Sequence, residues 1–273
     1  MDNKVSHTAL PLVHLRHVEG IENADTIWNA LSGEAEMDAN NPVNTDFDLK
    51  VALAGRFRMM SKMLDDSNIR RVAEFACGFS PRGITKAAKD ANVQYVDSDF
   101  PDVIAVRNRI IPAQGKNYAT VGGSAFDRKT FENVARQLAG SAKTGDRVAI
   151  ITEGLLRYVP NADKDILAEN VRWLMNEFGG GIWLTDCIAK ADYSNAAGCV
   201  AYNKMAGTAD TCFETPEVLA QFANQHGFSS RVADWSAVQN DIVHAKLHNL
   251  SPEYLAQIID RQRGTLIAEF EPQ

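Results

Sequence analysis

Four stretches of this chain combine residue types that could do chemistry. Val72 to Gly83 reads Val-Ala-Glu-Phe-Ala-Cys-Gly-Phe-Ser-Pro-Arg-Gly, a short apolar, β-capable run in which Glu74 is the only charge, followed by a small-residue turn. Gly78 lets the backbone bend and lets a ligand approach without a Cβ in the way. Ser80 stands where an N-cap belongs and Pro81 where a first helical residue belongs, so the next backbone N–H groups face the turn and suit a small polar or anionic group. The other three stretches are acidic: Asp97-Ser98-Asp99, Glu153-Gly154 and Asp186 each follow a β-capable run. A carboxylate after the second strand of such a fold can accept both hydroxyl protons of a ribose.

These residues need an alternating α/β framework to meet. From Arg70 onward the pattern predicts strands over Val72 to Cys77, Val93 to Asp97, Asn117 to Val121, Val148 to Thr152 and Ile182 to Thr185. Helices are predicted near Pro81 to Asp90, Pro101 to Ile111, Arg128 to Leu138 and Asp163 to Phe178, the last with Ile166, Leu167, Val171, Leu174, Met175 and Phe178 on one face. A further helix starts at Thr215-Pro216-Glu217 and stops at Gly227, another opens at Ser251-Pro252-Glu253, and Phe228 to Trp235 and Leu266 to Phe270 read as late strands. Repeated βα units predict a doubly wound, mostly parallel sheet covered on both faces, with ligands beyond the carboxyl ends of its strands.

Before the first strand, Val5 to Leu31 reads as one or two helices, Asp38 to Asn44 as a loop, and Phe47 to Leu64 as an amphipathic helix softly interrupted by Gly55. The expected organisation is a helical extension over residues 1–66 and an α/β unit over 67–273. A polar excursion over 189–211, with Asn195 to Gly198 and Gly207, would act as a mobile lid on the acceptor side.

Composition sets the class. The chain has 273 residues, 45% hydrophobic and 23% charged, enough for a large core, and its net charge of -7 argues against a nucleic-acid footprint. Cys77, Cys187, Cys199 and Cys212 lack CxxC or metal-finger spacing, and the N-terminus lacks a signal-peptide apolar region, so the expectation is a cytoplasmic protein with reduced thiols and no metal. No apolar run reaches the roughly 20 residues that span a bilayer. Nothing in the chain sets its oligomeric state.

Three cofactor classes separate on the first turn. Gly78 and Gly83 have the two-glycine spacing of a P-loop, but Ile84-Thr85 stand where Lys-Ser/Thr belongs. The dinucleotide pattern GxGxxG is also absent, because Ala76 to Pro81 supplies only one of its glycines. A cofactor without phosphates remains, and acidic strand ends suit the sulfonium of S-adenosylmethionine. A nucleotide-dependent oxidoreductase on a degenerate turn is the alternative, and a non-catalytic cofactor binder a third reading.

Three blocks in register resemble the leucine carboxyl methyltransferase family and its polyketide O-methyltransferase relatives: Val72 to Gly83, Tyr95 to Ile104, and Ile151 to Pro160, with Val5 to Leu10 similar to that group's N-terminal pattern. The resemblance runs to about residue 187 and implies a class I methyltransferase, a seven-stranded Rossmann-like sheet, and O-methylation of a carboxylate or hydroxyl on a small molecule or protein terminus. It implies S-adenosylmethionine contacts from Glu74, Ala76, Gly78, Arg82, Asp99 and Glu153. Lys50 falls about where the family places an arginine that grips the cofactor carboxylate, and Ser124 and Phe126 lie in the loop that meets the adenine. The chain departs from the family pattern at Ala76, which replaces a glycine, at Ser80, which replaces an aspartate, and at Ala125, so adenine recognition falls to Ser124 and backbone groups or to Asp127.

Plainer roles compete with these. Asp99 could simply cap the helix at Pro101, Glu153 could be a solvated carboxylate, and Lys50 and Arg56 read as solvated cations on a helix face. His14 and His17, one turn apart, read as surface or core residues rather than as a metal pair. A carboxylate acceptor needs no base, whereas a hydroxyl benefits from one; Tyr158, His7 and Asp186 are the candidate catalytic groups, with His14 and Tyr193 further candidates for a base by location.

Overall fold

The computed structural model describes residues 3–32, 43, 46–111, 115–141, 146–186, 211, 213–233, 235–242, 249–261 and 265–270. The 189–211 excursion, apart from Thr211, and Tyr193 within it lie outside the described residues.

Seven strands form one sheet: β1 (Arg71–Phe75), β2 (Gln94–Asp99), β3 (Tyr118–Gly122), β4 (Val148–Thr152), β5 (Gly181–Asp186), β6 (Ser229–Val232) and β7 (Thr265–Phe270). Their order is β3-β2-β1-β4-β5-β7-β6, with β1 to β5 parallel and β7 antiparallel to both of its neighbours. The order reverses between β1 and β4, so the crevice of this α/β sheet lies there. Strand and helix signals placed all seven strands to within a few residues. The first differs informatively: β1 stops at Phe75, and Ala76 and Cys77 belong to the turn.

Helices α1 (Asn3–Val18), α2 (Ala24–Leu31) and α3 (Phe47–Ser67) precede the sheet. Gly55 does not interrupt α3. Asp46 caps the helix by accepting from Leu49 N at 2.8 Å, and burial of Met59, Met60, Met63 and Leu64 outweighs the roughly 1 kcal/mol helix cost of a glycine. The following helices are α4 (Arg82–Lys89), α5 (Pro101–Ile110), α6 (Arg128–Leu138), α7 (Asn161–Glu177), α8 (Pro216–Gln225) and α9 (Pro252–Arg261). Helix α4 begins one residue later than the Ser-Pro signal implies, yet Ser80 Oγ still accepts from Arg82 N at 3.3 Å.

Alternation along the strands divides the core in two. Ala73, Phe75, Val96, Val148, Ile150 and Trp183 pack with Phe131, Leu167, Val171, Leu174 and Phe222 of α6, α7 and α8; Phe75 stacks on Phe131 with ring centroids 4.1 Å apart. Val72, Tyr95, Ala149, Ile151, Ile182 and Leu184 face the methionines of α3. The wholly buried Trp183 donates Nε1–H to Thr152 Oγ1 at 2.9 Å, so its polar edge is satisfied inside the core. No helix among the described residues is long and apolar enough to cross a membrane.

Candidate functional site

A cavity of about 600 Å3 opens at the carboxyl ends of β1, β2 and β4. Its floor is the turn Ala76-Cys77-Gly78-Phe79, one wall is Asp99 to Val103, and the other is Glu153 to Val159, while Ala9, Leu12 and Arg16 of α1 and Leu53 and Arg56 of α3 close over it. That size is within the usual range for small-molecule sites.

The turn departs from the strand through two left-handed residues, Ala76 at φ 52° and Gly78 at φ 50°. At Gly78 a Cβ would meet nothing within 4 Å, so the glycine serves backbone conformation and access rather than packing. Ala76 holds the same conformation with a side chain, at a cost of roughly 1 kcal/mol. Ala76→Gly is therefore expected to raise the melting temperature, equivalent to about 1 kcal/mol, as read by calorimetric unfolding; an unchanged or lower temperature would show that the alanine is not strained.

Behind the turn lies a residue the sequence reading missed. Arg107 of α5, wholly buried, donates to Gly78 O at 3.0 Å and Ser80 O at 2.7 Å, and pairs with Asp97. Tyr118 Oη donates to the same Asp97 oxygen at 2.5 Å. A guanidinium fork thus fixes the carbonyls on both sides of Phe79. The one sequence signal available was a charge on a helix face that otherwise packs inward at Val103 and Ile104. Asp97, the acidic residue inside β2, is spent on this clamp; burial pushes its carboxyl above the usual range, with Arg107 opposing.

Asp99, at the end of β2, faces the cavity. Its Oδ2 accepts from Gly78 N at 2.7 Å and its Oδ1 from Phe100 N at 2.7 Å, leaving each oxygen a further lone pair toward the cavity. Both backbone bonds come from residues that themselves line the cavity.

The acidic residues at the ends of β1, β4 and β5 are engaged by arginines. Arg82 donates to Glu74 Oε1 and to Glu153 Oε2, each at 2.6 Å. Arg56 Nε donates to Glu153 Oε1 at 3.2 Å and Arg56 Nη1 to Asp186 Oδ2 at 3.0 Å, and Arg16 Nη2 reaches Glu153 Oε1 at 3.4 Å. Tyr95 Oη donates to the other Glu74 oxygen at 2.5 Å. Three guanidiniums hold the Glu153 carboxyl down at about 2 against the opposing effect of burial.

The sequence-derived residues therefore divide. Glu74, Ala76, Gly78, Asp99, Phe126, Glu153 and Tyr158 all line the cavity. Lys50, Arg82, Ser124 and Asp186 do not. Arg82 is enclosed between two carboxylates and the Phe57 ring, 4.3 Å from its guanidinium carbon. Ser124 Oγ accepts from Phe126 N at 3.2 Å. Asp186 is 3% exposed, accepts from Gly154 N at 2.6 Å and pairs with Arg56, and burial raises its pKa. It positions Arg56 and the Gly154 turn and does not line the cavity. His7 lies on α1, and its side chain is outside the described residues. Arg56, read as a solvated cation, is 4% exposed. It lines the cavity, as do Arg16, Phe100, Asp102 and Arg157, to which the sequence assigned no role.

The sheet order, helix layers and site location define the Rossmann-like α/β fold of methyltransferases. Solved structures share it. A protein of the DUF574 family from Streptomyces avermitilis has a TM-score of 0.62 at 12% identity, with 97% of each chain covered. A putative methyltransferase from Thermobifida fusca has a TM-score of 0.55 at 12% identity, covering 96% of this chain and 94% of the other. Human N-acetylserotonin methyltransferase in complex with SAM has a TM-score of 0.52 at 10% identity; the match covers 91% of this chain but spans only 65% of that enzyme. The sequence matches no protein-family model, and a search of curated proteins finds no match.

Proposed function

We propose that this protein is an S-adenosylmethionine-dependent O-methyltransferase acting on a carboxylate or hydroxyl of a small molecule or a protein terminus. The observation that carries the reading is Asp99 at the β2 end, joined to Gly78 N across the crevice where the strand order reverses. The cradle fits the cofactor: the turn carries open space at Gly78, no P-loop lysine is present, and the wall offers a hydroxyl-pair acceptor beside aromatic surface. Structural likeness to O-methyltransferases and to a SAM-bound enzyme supports the reading.

Asp99 would receive the ribose hydroxyls, the backbone of Ala76 to Phe79 would flank the amino-acid end, and Phe100, Val103 and Phe126 would enclose the adenine. When bound, the cofactor supplies an electrophilic methyl group on a sulfonium. The chain's own part is to hold donor and acceptor in line, which can lower a barrier by roughly 7–11 kcal/mol. Leu12, Leu53, Leu155 and Val159 exclude water from the acceptor side. A carboxylate acceptor is already ionised near neutral pH. For a hydroxyl acceptor, Tyr158 is the candidate catalytic group that lines the cavity.

Titration calorimetry with S-adenosylhomocysteine, followed by methyl transfer from labelled S-adenosylmethionine to extract fractions, tests this. Binding at micromolar affinity or tighter, about −8 kcal/mol, is the expected result. A protein that ignores both compounds and quenches NADH fluorescence is an oxidoreductase instead. Firm binding with no transfer to any acceptor would mark a non-catalytic cofactor binder.

A further inference from the structure

Resting on that cofactor reading, the geometry points to Arg16 of α1 as the anchor for the carboxylate at the cofactor's amino-acid end, which makes the N-terminal helix part of the cofactor site. The strand order sets the direction. With ribose on Asp99 at the end of β2, the molecule crosses the Gly78 turn after β1 and its amino-acid end lies toward β4, the next strand in the sheet. The residues waiting there are Glu153, Arg56 and Arg16.

Of the guanidiniums in that cluster, two are spent. Arg82 has two carboxylate contacts of 2.6 Å and does not line the cavity. Arg56 bridges Glu153 and Asp186 at 3.2 and 3.0 Å. Arg157, also on the wall, belongs to the turn that carries Tyr158, its guanidinium carbon 5.7 Å from that ring. Arg16 has the poorest partner: one contact of 3.4 Å, to an oxygen that Arg56 already uses, where a charge-assisted bond is ordinarily about 2.7–2.9 Å.

Its side chain is only 11% exposed. The charged groups that act on it most are Glu153, Arg82, Glu74 and Arg56. Burial pulls its guanidinium below the usual arginine range. Its guanidinium carbon lies 4.8 Å from the centroid of the Phe57 ring. An incoming carboxylate would complete the pairing bidentately.

The test compares two ligands that differ in the anchored group. Wild type, Arg16→Met and Arg16→Lys are titrated with S-adenosylhomocysteine and with 5′-methylthioadenosine, the same adenosine thioether without an amino-acid end. Arg16→Met is expected to weaken S-adenosylhomocysteine about 30-fold or more and to leave methylthioadenosine within about twofold. Arg16→Lys keeps the charge without the fork and should fall between; it carries the comparison alone if the methionine variant unfolds. Equal weakening of both ligands would make Arg16 a structural tie and overturn the inference, as would no weakening of either. Wild type that binds neither ligand removes the cofactor reading and this inference with it, whereas wild type that binds both equally across the variants removes this inference only.

Discussion

Asp99→Ala should weaken S-adenosylhomocysteine by about 100-fold or more while leaving a folded protein, because the carboxylate does two jobs at once. On the proposed reading it would offer the ribose a bidentate acceptor, and each bond to a charged group contributes roughly 1.5–3 kcal/mol, so losing two of them predicts at least about 3 kcal/mol. It also holds the Gly78 N–H at 2.7 Å, and without it the front of the turn is free to move even though Arg107 still grips the carbonyls behind. Asp99→Asn keeps one acceptor oxygen and should fall between alanine and wild type. Burial raises the Asp99 pKa against the opposing bonds from Gly78 and Phe100. The ionised form is the acceptor, so wild-type affinity should decline on acidification at a higher pH than an ordinary aspartate would give, and Asp99→Ala should lack that decline. Calorimetry from pH 8 downward checks both; alanine affinity within about threefold of wild type would remove Asp99 from the ribose site.

What the sequence disclosed follows from the range of the forces involved. Strand and helix identities are set by local periodicity and caps, so Thr215-Pro216-Glu217 was readable as a helix start, and Thr215 Oγ1 does accept from Val218 N. Gly78 and Asp99 were readable as cavity residues because each follows a strand and the fold rule puts the crevice at the strand ends. The partners of charged groups were not readable. Arg16 meets Glu153 across 137 positions and Arg56 meets Asp186 across 130, pairings that no local pattern encodes. For the same reason the sequence assigned Arg82 to the ligand when it is enclosed by two carboxylates, took Arg56 for a solvated cation, and passed over Arg107. A faint signal did exist for Arg16: Ala9, Leu12 and Arg16 fall on one face of α1, a cation aligned with an apolar stripe. Lys50 matched a family position by spacing alone, and helix rotation carries it off the cavity while Arg56 reaches it.

The Arg82–Glu153 pair carries the largest expected stability effect. Arg82 is 2% exposed and its donors go to Glu74, Glu153, Ser61 Oγ and the Phe57 carbonyl, so it ties β1 and β4 to α3. Arg82→Met would leave two buried carboxylates short of their closest cation, and breaking such a pair costs roughly 3–5 kcal/mol, a large share of a typical domain's stability. The pH dependence isolates one half of the cluster. Glu153 falls from the ordinary 4.5 to about 2 in the folded protein. A depressed carboxyl contributes stability that is fully present above its unfolded pKa and is lost as pH falls through the folded one, here between about 4.5 and 2. At about 1.4 kcal/mol for each tenfold change in proton affinity, that contribution is roughly 3 kcal/mol. Glu153→Gln cannot titrate, so its urea unfolding free energy should lie well below wild type at pH 6, and the gap should narrow steadily from pH 4.5 to pH 3. Groups remote from the cluster titrate alike in both proteins and cancel in the difference, whereas Asp186, whose pKa Glu153 helps to raise, does not. A gap that stays constant over that interval would mean the three arginines hold each other's geometry without depressing the Glu153 carboxyl.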